Sequence, residues 1–252
     1  MQISSVPDQH GNPIGLPLGE ITKPGIPDES VKLTGEYCYL ESLDADKHAD
    51  DLYGVYALDA DGLLWTYMPQ GPFNSAAQYR TWVEGVQHKA DPFFYAIIDA
   101  KSGKAVGVAS YLRIDPASSS IEVGYITFSP VIQQKPIATE AMYLMMKHAF
   151  DLGYRRYEWK CNALNAPSIS AAMRLGMSFE GLFRQATMVK GHNRDTAWFA
   201  ILDRDWPVAC KAFESWLTPE NFAADGQQKQ SLSKLTAPIV ESRWPNLNLE
   251  VN

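Results

Sequence analysis

The chain has 252 residues, of which 46% are hydrophobic, and contains seven Trp, twelve Tyr and ten Phe. This composition argues against disorder, and the length is sufficient for one large domain with a sizeable core. The absence of a run of about 18 apolar residues predicts no membrane span, and the net charge of −7 argues against general nucleic-acid binding.

The N-terminal 30 residues are rich in Pro and Gly with little periodicity, which predicts an arm that lies over the surface or is partly disordered. Residues 1–27 contain no apolar stretch of the kind found in a signal peptide. Cys38, Cys161 and Cys210 are widely spaced and odd in number, and the five histidines lie far apart. We therefore expect a cytoplasmic protein with reduced thiols and no structural metal.

From residue 31 to residue 128 the pattern predicts a strand, two helices and three antiparallel strands. Asp44 is a suitable cap for the first helix, because its side chain can accept from free N–H groups, and Tyr79, Trp82, Val83 and Val86 share one face of the second. Gly103 ends a turn between two of the strands, as in a hairpin. The predicted bounds are 31–43 for the first strand, 44–58 and 75–88 for the helices, and 93–99, 104–114 and 121–128 for the later strands.

In the second half of the chain, the sequence pattern predicts a helix, a half-buried strand, a short helix and a long hairpin. Gly153 and Gly176 follow the two helices, at the position where a left-handed residue commonly ends a helix. The whole order favours an α+β fold with one central mixed sheet. The predicted bounds are 137–152 and 168–175 for the helices, and 156–162, 179–189 and 196–202 for the strands.

The segment between the strand at 121–128 and the next helix reads Gln-Gln-Lys-Pro-Ile-Ala-Thr-Glu-Ala. A strand, a tight loop and a helix N-terminus form an anion site, because free N–H groups and the helix dipole point at the loop. An ordinary helix start is the alternative. The candidate loop comprises Gln133, with its side chain, and the backbone of Gln134, Lys135, Pro136, Ile137, Ala138 and Thr139, where Pro136 offers no N–H.

Two further motifs follow this loop in order: Asn165-Ala-Pro-Ser168, and Leu175-Gly176-Met177. With the loop, they resemble the GNAT superfamily of N-acetyltransferases, and more closely the branch that includes the ribosomal-protein N-terminal acetyltransferases. The loop of that branch usually reads Arg/Gln-x-x-Gly-x-Gly/Ala, often followed by Thr-Glu-Ala. In this chain, Pro136 replaces one of the glycines. The resemblance covers roughly residues 31–207.

This resemblance implies one GNAT-like domain, residues 31–207, with a central, mostly antiparallel mixed sheet flanked by helices. It implies acetyl-CoA as co-substrate and an amine as acceptor. Asn165 and Ser168 would contact the pantetheine and the thiol end, although both residues are also ordinary helix caps. The pantetheine arm would bond to the backbone of a bulged strand, formed by Tyr125, Ile126, Thr127 and Phe128.

The sequence leaves alternatives open for the groups that would accept and donate protons in the transfer. Glu122, on the strand that borders the thioester in this fold, is either a proton acceptor for the amine or an exposed strand glutamate. Many relatives protonate the thiolate with a Tyr four residues before the motif glycine, where this chain has Ala172. Ser168, or a water that it holds, is the expected substitute.

The charge distribution bears on the acceptor. Residues 133–194 carry +5, from nine basic and four acidic residues, which leaves −12 for the rest of the chain. A basic segment suits coenzyme A and acidic surroundings suit an amine, while a mixed solvated surface is the alternative. Trp65, Tyr67 and Phe73 either line the acceptor groove or belong to the core, and the core is the better expectation. N-terminal α-amines, polyamines and amino-sugar antibiotics all remain open as acceptors.

Two other functions remain open. Pro136 and Ala172 favour a catalytically inactive module that binds CoA or has a structural role. The C-terminal extension, residues 208–252, is expected to pack back onto the domain or to lie at a homodimer interface, because it carries spaced apolar residues: Leu235, Ile239, Val240, Trp244 and Leu247.

Overall fold

An eight-stranded mixed sheet with helices on both faces forms the body of the protein, in a computed structural model that describes residues 3–19 and 22–245. No helix within those ranges is long and apolar enough to cross a membrane. The strands are β1 (Ser5–Pro7), β2 (Pro13–Gly15), β3 (Leu33–Thr34), β4 (Cys38–Ser42), β5 (Phe93–Asp99), β6 (Ala105–Asp115), β7 (Ser120–Phe128), β8 (Arg156–Asn162), β9 (Ser178–Val189) and β10 (His192–Leu202). The α-helices are α1 (Ala45–Tyr56), α2 (Ala76–Val86), α3 (Pro136–Asp151), α4 (Ala166–Arg174), α5 (Trp206–Leu217) and α6 (Leu232–Thr236).

α1, α2 and α4 begin where a local side chain satisfies free N–H groups of the first turn. Asp44 accepts from the backbone of Asp46 and Lys47 at the start of α1, and Ser75 accepts from Gln78 at the start of α2. The predicted start of α4 at residue 168 is wrong. Asn165 is the cap of α4, and its side chain accepts from the backbone N–H of Ser168, so that the helix begins two residues earlier.

The strand order β3-β4-β5-β6-β7-β8-β10-β9 confirms the predicted α+β fold with a central, mostly antiparallel sheet. Every neighbouring pair is antiparallel except β7 and β8, which are parallel and joined through α3. The turn of the β9–β10 hairpin consists of two residues, Lys190 and Gly191, and not of the four predicted. It is shorter because His192 already pairs with Val189.

Two apolar clusters cover the two faces of this sheet. On one face, α1 and α2 pack on β4, β5 and β6 around Leu52, Tyr79 and Phe94, which are all buried. On the other face, α3 packs across β7 and β8, with Met145, Val123 and Trp159 in its cluster. α1 reaches β7 through Tyr56, whose hydroxyl donates to the carbonyl of Thr127 at 2.8 Å. The candidate site lies on β7, β8 and β10.

The C-terminal segment packs on the α3 face of the same chain. Phe213 and Leu232 are fully buried there, and Thr236 donates to the carbonyl of Arg174 at the end of α4. Gly176, in the left-handed conformation that ends α4, lies against Thr236 and Ile239. Leu247, one of the apolar residues expected to pack back, lies outside the described residues. In the N-terminal arm, β1 and β2 form a small hairpin.

Candidate active site

The two central parallel strands part in the middle of the sheet. Pairing between β7 and β8 runs from Ser120 with Arg156 to Val123 with Trp159 and then stops. Beyond that point β7 bulges away, with Tyr125 at φ 51° and a register shift against β6, while β8 continues to Asn162 beside β10. The edges of both strands therefore face an opening that widens toward the N-terminus of α3. The predicted cofactor residues Tyr125, Ile126, Thr127 and Phe128 lie on the β7 edge of this opening.

The loop that leads into α3 leaves part of its backbone free. Lys135 donates to Ile132 and Ala138 donates to Lys135, and Pro136 has no N–H. Within the described residues the N–H groups of Gln134 and Ile137 have no backbone acceptor. These two groups, at the start of a 16-residue helix, are the donors that the loop can offer to an anion. Their role stays a prediction.

The side chains of the same loop are already engaged or buried. Gln133, which we expected to contact the cofactor, donates from Nε2 to the carbonyl of Phe128 at 3.0 Å. Thr139 accepts from Arg174 at 3.0 Å, and Ile137 and Ala138 are buried. Apart from the exposed Gln134 and Lys135, the loop therefore presents backbone rather than side chains.

On the α3 face, a hydroxyl lies at the point where the strands part. Trp159, the last residue of β8 that pairs with β7, donates from Nε1 to the Oγ of Ser168 at 3.0 Å. The hydroxyl hydrogen of Ser168 is left available to a further acceptor. The neighbouring Cys161 thiol is a poor nucleophile, because burial raises its pKa to about 11. Ala172, where relatives carry the Tyr, is fully buried in the core.

On the opposite face, Glu122 belongs to a buried ion-pair network, so the expectation of an exposed strand glutamate is wrong. Only 3% of the residue is exposed. Lys160 and Arg113 both contact its Oε2, each at 2.7 Å. Oε1 makes no hydrogen bond or ion pair with any described residue, and this oxygen is the one free to accept a proton from a ligand.

Lys160 joins this carboxylate to a second one. Its ammonium lies 2.7 Å from Glu158 Oε2 and 3.8 Å from the ring centroid of Trp198. Burial alone would raise the pKa of Glu158, but hydrogen bonds from Lys160 and Arg156 outweigh it and lower that pKa. Arg156 also pairs with Glu180, with Nη1 3.0 Å from Oε1. The network was missed in the sequence because its members lie on four different strands.

The loop between α1 and α2 closes over the site from two sides. Lys190, at the tip of the β9–β10 hairpin, donates to the carbonyl of Trp65 at 2.8 Å. Tyr67 donates to the carbonyl of Leu164, in the loop before α4, at 3.0 Å. Trp65 itself is buried and packs edge-on against Tyr56 and Phe73, as the core interpretation predicted. The loop is thus bonded to the β9–β10 hairpin and to the loop before α4.

Comparison with known proteins places this arrangement among acetyltransferases. Residues 39–178 match the model of the acetyltransferase (GNAT) domain. The crystal structure of a GCN5-related N-acetyltransferase from Brucella melitensis superposes with a TM-score of 0.83 at 43% identity, over 86% of this chain and 98% of that one.

Two curated relatives agree with this match. An uncharacterized N-acetyltransferase, YnaD, of Bacillus subtilis is 24% identical over 62% of this chain and 90% of its own length. The ribosomal-protein-serine acetyltransferase of Escherichia coli is 30% identical over 41% of this chain and 58% of its own length. The predicted resemblance to the branch with the ribosomal-protein acetyltransferases is confirmed.

Proposed function

Because the chain belongs to the GNAT acetyltransferase family, we propose that this N-acetyltransferase moves the acetyl group of acetyl-CoA to a primary amine, on a protein N-terminus or a small molecule. The observation that carries the proposal is the opening between β7 and β8, beside the N-terminus of α3. A linear ligand in this opening could bond to both strand edges and place its anionic end at the helix.

In this placement the pyrophosphate of acetyl-CoA meets the free N–H groups of Gln134 and Ile137, with Lys135 nearby. The pantetheine arm follows the β7 edge at residues 125–128, where pairing with β8 has ended, and Asn165 lies on the other side of the opening. Pro136 removes one donor from the loop, but it also sets the backbone angle that a helix first turn needs. We expect this substitution to weaken binding of the cofactor without abolishing it.

The reaction is a direct attack of the neutral amine on the thioester carbonyl. The new C–N bond forms, the C–S bond breaks, the amine loses a proton and the coenzyme A thiolate gains one. Glu122 Oε1, directly or through water, takes the proton of the amine from one face of the sheet. The hydroxyl of Ser168, oriented by Trp159, donates to the leaving sulfur from the other face.

Binding of the cofactor is the first test. Thermal melting and calorimetry with acetyl-CoA and free CoA should show micromolar affinity, followed by thiol release with a panel of amines. Lys135→Glu should weaken binding about tenfold, because one pair of unit charges about 5 Å apart is worth about 0.8 kcal/mol even in water and the substitution reverses a charge.

Lys101→Glu provides the matched control. It makes the same charge change on an exposed turn between β5 and β6 and should leave the affinity unchanged. Neither variant should lower the melting temperature of the protein alone, since an acidic residue at a helix N-terminus is favourable. Absence of binding to either form of the cofactor would refute the proposal, and equal binding by both variants would refute the assignment of the loop.

A further inference from the structure

Arg194 lies on β10 at the edge of the opening. Pairing of β10 with β8 ends at Thr196 with Asn162, so Arg194 extends two residues beyond the end of β8. Because alternate residues of a strand share a face, it lies on the side of Trp198, over which Lys160 is held. The positive charge of Arg194 acts to lower the pKa of Cys161, on one face of the sheet. The charge of Glu122, on the other face, acts to raise the pKa of Arg194. By strand register, Arg194 lies beyond the end of β8, on the face of the sheet that carries Lys160 and Glu122.

No carboxylate in the described ranges 3–19 and 22–245 forms an ion pair with this guanidinium. Arg194 is half-buried, its Nε is fully buried, and its side chain makes no hydrogen bond with any residue in those ranges. Burial lowers its pKa, as expected for a desolvated cation, but an arginine stays charged at any relevant pH. Since a buried charge without a partner is unfavourable, the position is one that an anionic ligand group would stabilise.

The neighbouring carboxylates pair with other cations. Glu122 Oε2 is shared by Lys160 and Arg113, and Glu158 is shared by Lys160 and Arg156. Arg194, unlike these three cations, forms no ion pair with a carboxylate of the described residues.

We propose that Arg194 binds a carboxylate of the acceptor, so that the preferred substrates are small amines that carry a carboxylate, as amino acids do. The inference rests on the proposed acetyl transfer and names the acceptor class for the same site. A guanidinium matches a carboxylate with two parallel N–H···O bonds, which would orient the amine toward Glu122 Oε1.

The position of Arg194 favours the acceptor over the cofactor phosphates. The free N–H groups of the phosphate loop begin α3, which packs on the opposite face of the sheet. A contact with the thioester carbonyl is the alternative role for Arg194, and kinetics separates this role from recognition of the acceptor.

The first experiment compares matched acceptors by release of coenzyme A thiol. Amino acids should be acetylated at least about tenfold more efficiently than their amides or methyl esters. Arg194→Gln should remove this preference by raising KM for the carboxylate acceptor much more than KM for the amide, without raising KM for acetyl-CoA. Arg194→Lys should retain part of it. Equal use of amino acid and amide, or a uniform fall in kcat for all acceptors, would overturn the proposal.

A binding experiment decides the question independently of turnover. N-acetyl amino acids should raise the melting temperature of the wild-type complex with CoA more than their amides do, and Arg194→Gln should abolish the difference. Arg194→Gln alone should melt at or above the wild-type temperature, because it removes an uncompensated charge. Arg184→Gln, which changes an exposed arginine of the same hairpin, is the control.

A large drop in melting temperature for Arg194→Gln would mean that Arg194 has a structural role. Absence of carboxylate-dependent stabilisation in the wild type would also refute the proposal. Failure of acetyl-CoA itself to bind would instead count against the proposed function.

Discussion

Glu140→Ala should be among the most destabilising single substitutions in this protein. The carboxylate of Glu140, buried on α3, accepts from three consecutive backbone N–H groups that begin at the turn before β4. Glu36 donates to Oε1 at 2.8 Å, while Tyr37 and Cys38 donate to Oε2 at 2.7 Å each. No other element holds these groups, so the carboxylate connects the helix of the phosphate loop to the edge of the sheet.

The magnitude follows from what each N–H loses. Each buried donor left without an acceptor costs about 1–3 kcal/mol, with the full cost at the buried N–H of Cys38 and less at the partly solvated N–H groups of Glu36 and Tyr37. The total is about 4 kcal/mol, which lowers the melting temperature by about 8–16 °C for a chain of this size. Glu140→Gln retains one oxygen that can accept and should cost about 2 kcal/mol.

Urea or thermal unfolding followed by circular dichroism measures both variants, with Glu84→Ala, an exposed glutamate on α2, as the control that should change little. Gly35 gives a sharper test. A Cβ on Gly35 would lie 2.4 Å from the carboxyl carbon of Glu140, so Gly35→Ala should be strongly destabilising in the wild type and much less so beside Glu140→Ala. A fall of less than about 3 °C for Glu140→Ala, or additive effects of the two substitutions, would refute this reasoning.

Two further predictions concern buried charge. Lys160→Met removes the cation shared by Glu122 and Glu158 and should lower the free energy of unfolding, measured with denaturant, by about 3 kcal/mol. This is the low end for a broken buried ion pair, because Arg113 and Arg156 remain. Adding Glu122→Gln should recover part of the lost stability, and a further loss would contradict the network. Burial lowers the pKa of His148, so the folded state resists a proton that the unfolded chain binds, and stability should fall as the pH drops below about 6.5. The melting temperature of His148→Gln should fall less between pH 7.5 and 5.5 than that of the wild type, and parallel falls would exclude this residue as the cause.

From α1 to β10 the sequence was sufficient for the order and type of the elements, because the signals that specify them are local. The strand predicted over 31–43 is two strands, β3 and β4, and the helices after β10 were not predicted. Asp44 and Ser75 cap the two helices that the spacing of apolar residues predicts. The alternation of Tyr157, Trp159 and Cys161 gives β8 its buried face. The bounds of β5 and β8 were predicted correctly. The start of α4 was missed because Asn165 and Ser168 are both acceptable caps, and only the backbone path decides which one serves.

The sites where charge is buried could not be predicted in the same way. Glu122 alternates with apolar residues, as an exposed strand glutamate does, and its burial depends on Lys160 from the parallel strand and Arg113 from the antiparallel one. Glu140 appeared only as part of a loop motif, although its carboxylate organises the turn before β4. Contacts between residues far apart in the chain leave no mark on the periodicity of either segment.

The sequence by itself therefore determined the fold class, the family and the loop that we propose for the cofactor, because capping, alternation and a short motif are properties of neighbouring residues. Only the tertiary structure decided where the strands part, which oxygen of Glu122 stays free, and that the side chain of Arg194 has no partner among the described residues. These features depend on how distant strands align and on which charges are already paired, and such balances exist only once the chain has folded.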